Sequence, residues 1–263
     1  MENKLKLNFS HVFDGKIWNI DSSASGDSLL LEIRSEEKFE TKFFILDTKN
    51  HTFLAEDIDF DEKWWIGVSF LNEKYAVFHI YAEQDNPDLK NILVYEIGTD
   101  TILWQRSHCH FIAAQDDVLV LFINETEEVQ YFDIRTGINT DKKIADDILS
   151  DKNKSIHQPF HYSEGTDHFD KVGRFLASTY HIKVKAAVEY FENDELMVIS
   201  YYCINRFNTL DNILIVIDHD GNQILYEKLG ENLTGISADT FFICKGNLIF
   251  VKDKINIYSY QLA

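Results

Sequence analysis

Glycine and proline are scarce in this chain, 11 and 2 of 263 residues, or about 5% where average usage would give roughly 12%. That shortage excludes collagen-like rods and Pro/Gly-rich disordered linkers. Cysteine is also sparse. Cys109, Cys203 and Cys244 are odd in number, widely spaced and without a CxxC pair, which excludes a disulfide-stapled miniprotein. They read as small buried hydrophobes in a reducing compartment, so a cytoplasmic protein is expected. No apolar run approaches the ~20 residues of a membrane-spanning helix. The N-terminal MENKLKLNFSHVFDG has no continuous apolar segment, so no secretion signal is expected.

Positive charge is in short supply too. Against 44 Asp and Glu stand 25 Lys and Arg, for a net charge of −19, and the basic residues are scattered among carboxylates. Nucleic-acid binding requires a basic face that releases counterions, so a nucleic-acid partner is not expected, and anionic membranes are disfavoured on the same ground. There is no Gly-rich phosphate loop and no GxSxG elbow, which leaves nucleotide-dependent and serine-hydrolase chemistry without support.

What the chain does have is apolar and aromatic mass, at 45% hydrophobic and 14% Phe, Trp and Tyr. Most of it lies in short runs rich in β-formers, among them SLLLEIR (28–34), KFFILD (42–47), YAVFHIYAE (75–83), VLVLFIN (118–124), LMVISYYCI (196–204) and ILIVID (213–218). Polar turn clusters separate them, which predicts an all-β protein.

A repeat refines that reading. An apolar strand, an acidic or small residue, a short polar turn and a second apolar strand recur in FFILDTKNHTFL (43–54), ILVYEIGTDTILW (92–104), VQYFDIRTGIN (129–139) and ILIVIDHDGNQIL (213–225), with a truncated copy in INIYSYQLA (255–263). Each copy follows two further strands, in sets beginning near Ile17, Trp64, His110, Val184 and Ile236. Five four-stranded sets predict a five-bladed β-propeller, with six blades as the alternative if the segment 140–183 holds a degenerate blade. The last set is one strand short, and LKLNFSHVF (5–13) is left over to complete it, so the two ends of the chain are expected to pair. The whole of 1–263 then forms one domain.

The strand–turn–strand signature, above all ILVYEIGTDTILW and VQYFDIRTG, resembles the repeat of quinoprotein-like and WD-type propellers over the outer halves of four blades. The quinoprotein cofactor residues match no position here, and the Gly-His and Trp-Asp pairs of WD repeats are absent. The whole chain resembles an uncharacterised bacterial β-propeller family of unknown function. That resemblance implies the fold and no chemistry.

The insertion 140–183 differs in texture. IADDILSD (144–151) is expected as a short helix and KNKSIHQPFHYSEG (152–165) as an ordered loop. Thr166 can cap a helix reaching about Tyr180, with Phe169, Val172, Leu176 and Tyr180 at helical spacing. This segment is expected to lid one face of the ring.

The candidate sites follow from that frame. The loop residues His161, Tyr162 and Glu164 combine imidazole, aromatic ring and carboxylate beside a helix, a typical place for ligand contacts. Trp65, in the Trp64–Trp65 pair, and His110, on an inner strand, complete the ligand-binding candidates. Trp18 and Trp104 are expected in the core. His108, His110, His157, His161 and His168 show no HExxH-type spacing, and the acidic run EDIDFDE (56–62) lacks the glycine and spacing of a calcium loop, so no metal and no cofactor are expected.

The expected function is a monomeric, non-enzymatic binding module that takes a protein or small ligand on one face. The alternative is a carbohydrate-active hydrolase using the inner-strand carboxylates Asp21, Glu189 and Asp239, since such chemistry needs paired carboxyl groups.

Overall fold

The computed structural model describes residues 5–83, 85–142 and 156–262. The expected helix at 144–151 lies outside them. The described chain forms two compact units, Asp14–Ser155 and a second made of Met1–Phe13 with Ile156–Ala263. All its sheets are antiparallel, and among the described residues there are five of them, each separate from the others.

The N-terminal strand β1 (Lys6–Val12) belongs to the second unit. In the Asp14–Ser155 unit, β2 (Lys16–Ser22), β3 (Ser28–Ser35), β4 (Glu40–Asp47) and β5 (Thr52–Ile58) form the first sheet in chain order. The second sheet is β6 (Ile66–Leu71), β7 (Tyr75–Glu83), β8 (Asn86–Glu96) and β9 (Thr101–Arg106). The third has three described strands, β10 (Cys109–Gln115), β11 (Val118–Ile123) and β12 (Glu128–Asp133). Its expected fourth strand is reduced to a single bridge between Phe132 and Asn139. The preceding turn ends at Gly137, whose φ of +66° and close approach to the Trp104 ring (2.9 Å from where a Cβ would stand) both require glycine.

The apolar run of β7 is continuous rather than alternating because the second sheet is packed on both faces. In β7, Ala76 and Phe78 join Leu30, Phe43 and Ile45 of the first sheet in one core, while Tyr75 and Val77 join Leu119 and Leu121 of the third in another. Tilted ring contacts knit the first core, Phe43 to Phe78 at 4.7 Å and Phe60 to Phe78 at 4.9 Å. Each such fully buried side chain contributes roughly 1.5–3 kcal/mol of transfer free energy.

The second unit repeats this logic with a helix. Its fourth sheet orders β14 (Phe160–Ser163), β15 (Lys185–Glu192), β16 (Leu196–Ile204), β17 (Leu210–Asp218) and β18 (Gln223–Leu233). The fifth orders β1, β21 (Asn256–Gln261), β20 (Asn247–Lys252), β19 (Phe241–Cys244) and β13 (Ile156–His157). The two ends of the chain therefore pair, with Leu7 opposite Tyr260 and Ser10 opposite Tyr258. The central strands of the fourth sheet are apolar on both faces. Val198, Leu214 and Val216 pack on Phe241, Ile243 and Phe250 of the fifth sheet, and Ile199, Ile213, Ile215 and Ile217 face the other way.

That second face is covered by α1 (Asp167–Tyr180), which inserts Phe169 and Leu176. Thr166 caps it by accepting the amide of Phe169, worth about 1 kcal/mol, and His181 ends it at a left-handed φ of 58°. Tyr180 donates its hydroxyl to the Gly221 carbonyl in the DHDG turn, at 2.7 Å. The insertion thus differs from expectation in two ways. The segment expected as a loop holds two short strands, one added to the edge of each sheet of this unit, because backbone left unpaired at a sheet edge finds partners. The helix covers the face of one sheet, where its apolar stripe meets an apolar surface.

Candidate functional site

The strand β14 sorts its side chains by alternation. Its partner is β15, with Phe160 opposite Tyr190, His161 opposite Glu189 and Tyr162 opposite Val188. Phe160, Tyr162 and Tyr190 accordingly share one face of the sheet, and His161 and Glu189 the other.

On the first face lies a cleft of about 540 Å³ lined by Phe160, Tyr162, Tyr190, Glu192, Asn193, Asp194 and His219. The rings of Phe160 and Tyr162 are nearly parallel, 9° between planes and 6.4 Å between centroids, and Tyr162 stacks in turn on His168 at 4.9 Å. Phe160 is 68% exposed, an unusual state for so large an apolar ring. Tyr190 donates to Glu192 at 2.6 Å, and burial together with that carboxylate pushes its phenol pKa far up, so it remains a donor. The Asn193 side chain is spent on the turn, accepting the amides of Glu195 and Leu196. A smaller cavity of about 250 Å³ shares Tyr162 and Tyr190 and adds His168, Lys171 and Phe175 from α1.

On the other face, Glu189 is 1% exposed and fully engaged. It accepts the amides of Asp239 (2.6 Å) and Thr240 (2.9 Å), lies 2.5 Å from the Thr240 hydroxyl, and has His161 Nδ1 at 3.3 Å. This carboxylate ties β15 to the entry of β19. Asp239, exposed and at a positive φ of 55°, has its pKa raised by partial burial and then by the Glu189 charge, against a lowering by His161. Beside it, a cleft of about 370 Å³ runs along Asn212, Leu229, Ser237 and Thr240.

The structure therefore brings together Glu189, Asp239 and His161, whereas Asp21 belongs to the other unit, where it accepts from Asn19 at 2.7 Å. Tyr162 lines the aromatic cleft. Glu164 pairs with Lys185 at 2.7 Å and accepts the Ala186 amide, contacts that lower its pKa. Trp65 and His110 also sit in the Asp14–Ser155 unit, Trp65 edge-on to Tyr81 at 6.4 Å and His110 tilted against Phe122 at 6.1 Å. Among the described residues no group of three His, Cys, Asp or Glu side chains could hold a metal ion. The acidic run 56–62 is partly spent internally, on Lys42–Asp57 and Lys63–Asp59 ion pairs and on Glu62 accepting the amides of Trp64 and Trp65. Sequence reasoning missed Phe160, Tyr190, Glu192, Asp194 and His219. The signal was present in the i, i+2 spacings Phe160–Tyr162 and Tyr190–Glu192, legible once the segment around Phe160 is taken as a strand.

One expected core residue is elsewhere. Trp18 is 60% exposed, because its ring serves as a platform for Arg34, whose guanidinium carbon lies 5.3 Å from that ring and 5.1 Å from the ring of Trp64. Arg34 also bonds Glu32 at 2.6 Å and the carbonyls of Trp64 and Ile66. Phe39 stacks on Trp64 at 4.4 Å. Trp104 is half-buried, its indole N–H donating to the Ile134 carbonyl.

Residues 21–104 match the model of a family described as a domain of unknown function, DUF4905. A search of curated proteins gave no match. Among solved structures the chain is similar to the β-propeller domain of the Trilobed protease from Pyrococcus furiosus, at 12% identity and a TM-score of 0.32, covering 94% of this chain and 70% of that one. It is also similar to a functionally unknown protein from Desulfotomaculum acetoxidans, at 9% identity and TM-score 0.33 over 94% and 86%, and to oligopeptidase B from Trypanosoma brucei, at 8% and 0.30 over 90% and 31%. The fold is all-β, and one of these neighbours is a β-propeller domain. Among the described residues no helix is long and apolar enough to cross a membrane.

Proposed function

We propose that the five sheets are the blades of one ring whose seam is joined by β1 on β21, and that this ring is a non-catalytic binding module whose ligand occupies the cleft of Phe160, Tyr162 and Tyr190. The observation that carries the binding reading is the cleft itself: aromatic rings converge with Glu192 and Asp194 where the insertion adds its strand to the sheet. Concave sites in which aromatic walls meet convergent polar groups are where ligands bind. The acidic chain favours basic or neutral partners, protein or small molecule. Three cysteines, widely spaced and without a CxxC pair, fit a cytoplasmic setting.

The hydrolase alternative draws less support. Glu189 has its oxygens taken up by backbone amides and a hydroxyl, and a carboxylate so held serves as a brace between two sheets. The test is a peptide and glycan array probed with the full chain and with Tyr162→Ala. Ligands retained by the first and lost by the second support the reading; an array on which the two behave alike overturns it.

A further inference from the structure

The Asp14–Ser155 unit contains a worked example of what aromatic rings and a carboxylate hold in this protein. Trp18 and Trp64 flank the guanidinium of Arg34 at 5.3 and 5.1 Å, and Glu32 closes on it at 2.6 Å. The cleft of the other unit has the same parts, parallel rings of Phe160 and Tyr162, the Tyr190 ring, and the carboxylates Glu192 and Asp194. Among the described residues no lysine or arginine lines it. We propose that a cation from outside takes that place: the cleft binds an arginine side chain carried by a basic peptide segment. This rests on the reading of the cleft as the ligand site.

The chemistry narrows the class. A ring face attracts a cation through its quadrupole, more strongly as water is excluded. The polar lining is rich in acceptors, from Glu192, Asp194 and the phenol oxygens, with His219 held at the Asn193 carbonyl and, among the described residues, no lysine or arginine beside them. An anion would meet two carboxylates there. Guanidinium offers five donors and a flat face, and so satisfies rings and carboxylates together. A volume of about 540 Å³ exceeds one guanidinium and leaves room for the peptide that carries it. The net charge of −19 adds attraction at a distance.

The experiment is fluorescence anisotropy on the full chain with a labelled peptide of alternating Arg and Gly, beside Ser-Gly and Glu-Gly peptides of the same length. Phe160→Ser and Tyr162→Leu remove ring faces without changing charge, and the exposed position of Phe160 makes its variant safe from unfolding. Glu56→Gln with Asp61→Asn, in the acidic run of the other unit, removes the same charge as Glu192→Gln with Asp194→Asn. The Arg-Gly peptide is expected to bind, to weaken about tenfold in each ring variant and in the Glu192/Asp194 pair, and to change less than about twofold in the Glu56/Asp61 control. Equal binding by wild type and ring variants would mean diffuse charge attraction and would overturn the proposal. Ring-dependent binding of the Ser-Gly peptide or of a glycan would overturn the cationic assignment and leave the cleft as a binding site. No ring-dependent ligand of any kind would remove both.

Discussion

The Arg34 cluster and the Phe160 cleft both set aromatic rings beside carboxylates and end in opposite states. In the first, the cation comes from the strand β3 itself, and Arg34 is 15% exposed with Glu32 beside it at 5%. In the second, ring faces and carboxylates open to solvent. The difference lies in register. Glu32 and Arg34 are two apart in one strand and so lie on one face beside Trp18, whereas the lining around Tyr190 and Glu192 supplies acids, rings, Asn193 and His219 but, among the described residues, no lysine or arginine. A set of groups that completes itself becomes structure; the same set left incomplete is what we propose as a site.

Breaking the complete copy should give the largest effect. Arg34→Met leaves the Glu32 carboxyl buried, and burial already raises its pKa despite the Arg34 charge. A buried charge stripped of its partner costs about 3–5 kcal/mol. Urea unfolding should show that loss in the single variant, and Glu32→Gln added to Arg34→Met should recover part of it. If the double variant is no more stable than the single, the pair is not the source.

The next effect is a pH dependence in the same neighbourhood. His79 is packed against Gly67, bonds Ser69 at 2.9 Å, lies edge-on to Tyr81, and has its pKa lowered to about 4 by burial and by the charges of Lys90 and Arg34. Its unfolded counterpart titrates near 6.5. Between those values the unfolded chain binds a proton that the folded chain refuses, so stability is full above pH 6.5 and falls as pH drops toward 4. The limit is roughly 3 kcal/mol. Urea midpoints at about pH 7 and about pH 4.5 should diverge in wild type and draw together in His79→Asn.

Glu189 tests the structural assignment of the other face. Charge-assisted bonds to buried amides are worth about 1.5–3 kcal/mol each before compensation. Glu189→Gln keeps the shape and should cost about 2 kcal/mol of unfolding free energy. It should leave binding at the aromatic cleft within about twofold, since its side chain lies on the opposite face of β15.

The parts that were legible and those that were not separate by range. Thr166 and the Phe169–Leu176 spacing announce α1 because capping and helical periodicity are local. The pairing of the chain ends follows from counting strands. The strand at Phe160–Ser163 is hidden because it is four residues long, follows Pro159 and carries a histidine, so it reads as a loop until β15 is there to pair with it. The engagement of Glu189 was equally invisible, since its donors sit 50 and 51 residues on, in the backbone of Asp239 and Thr240. Trp18 is expected in the core because an aromatic in a strand usually is, and only the Arg34 geometry shows why this one is at the surface.

The smallest effect on stability is also the sharpest test of the comparison. Asp194→Arg offers the cleft a guanidinium from its own chain, at an exposed position of the β15–β16 turn. An exposed cation over a ring gains about 0.5–1 kcal/mol, partly offset by the entropy of holding a long side chain. The unfolding midpoint should therefore rise slightly or stay level. Binding of the Arg-Gly peptide should fall far more than it does in Asp194→Ala, because the variant both removes an acceptor and fills the space. If Asp194→Arg and Asp194→Ala weaken the peptide equally, the cleft is recognised by its charge alone, and the likeness to the Arg34 cluster is one of composition rather than of mechanism.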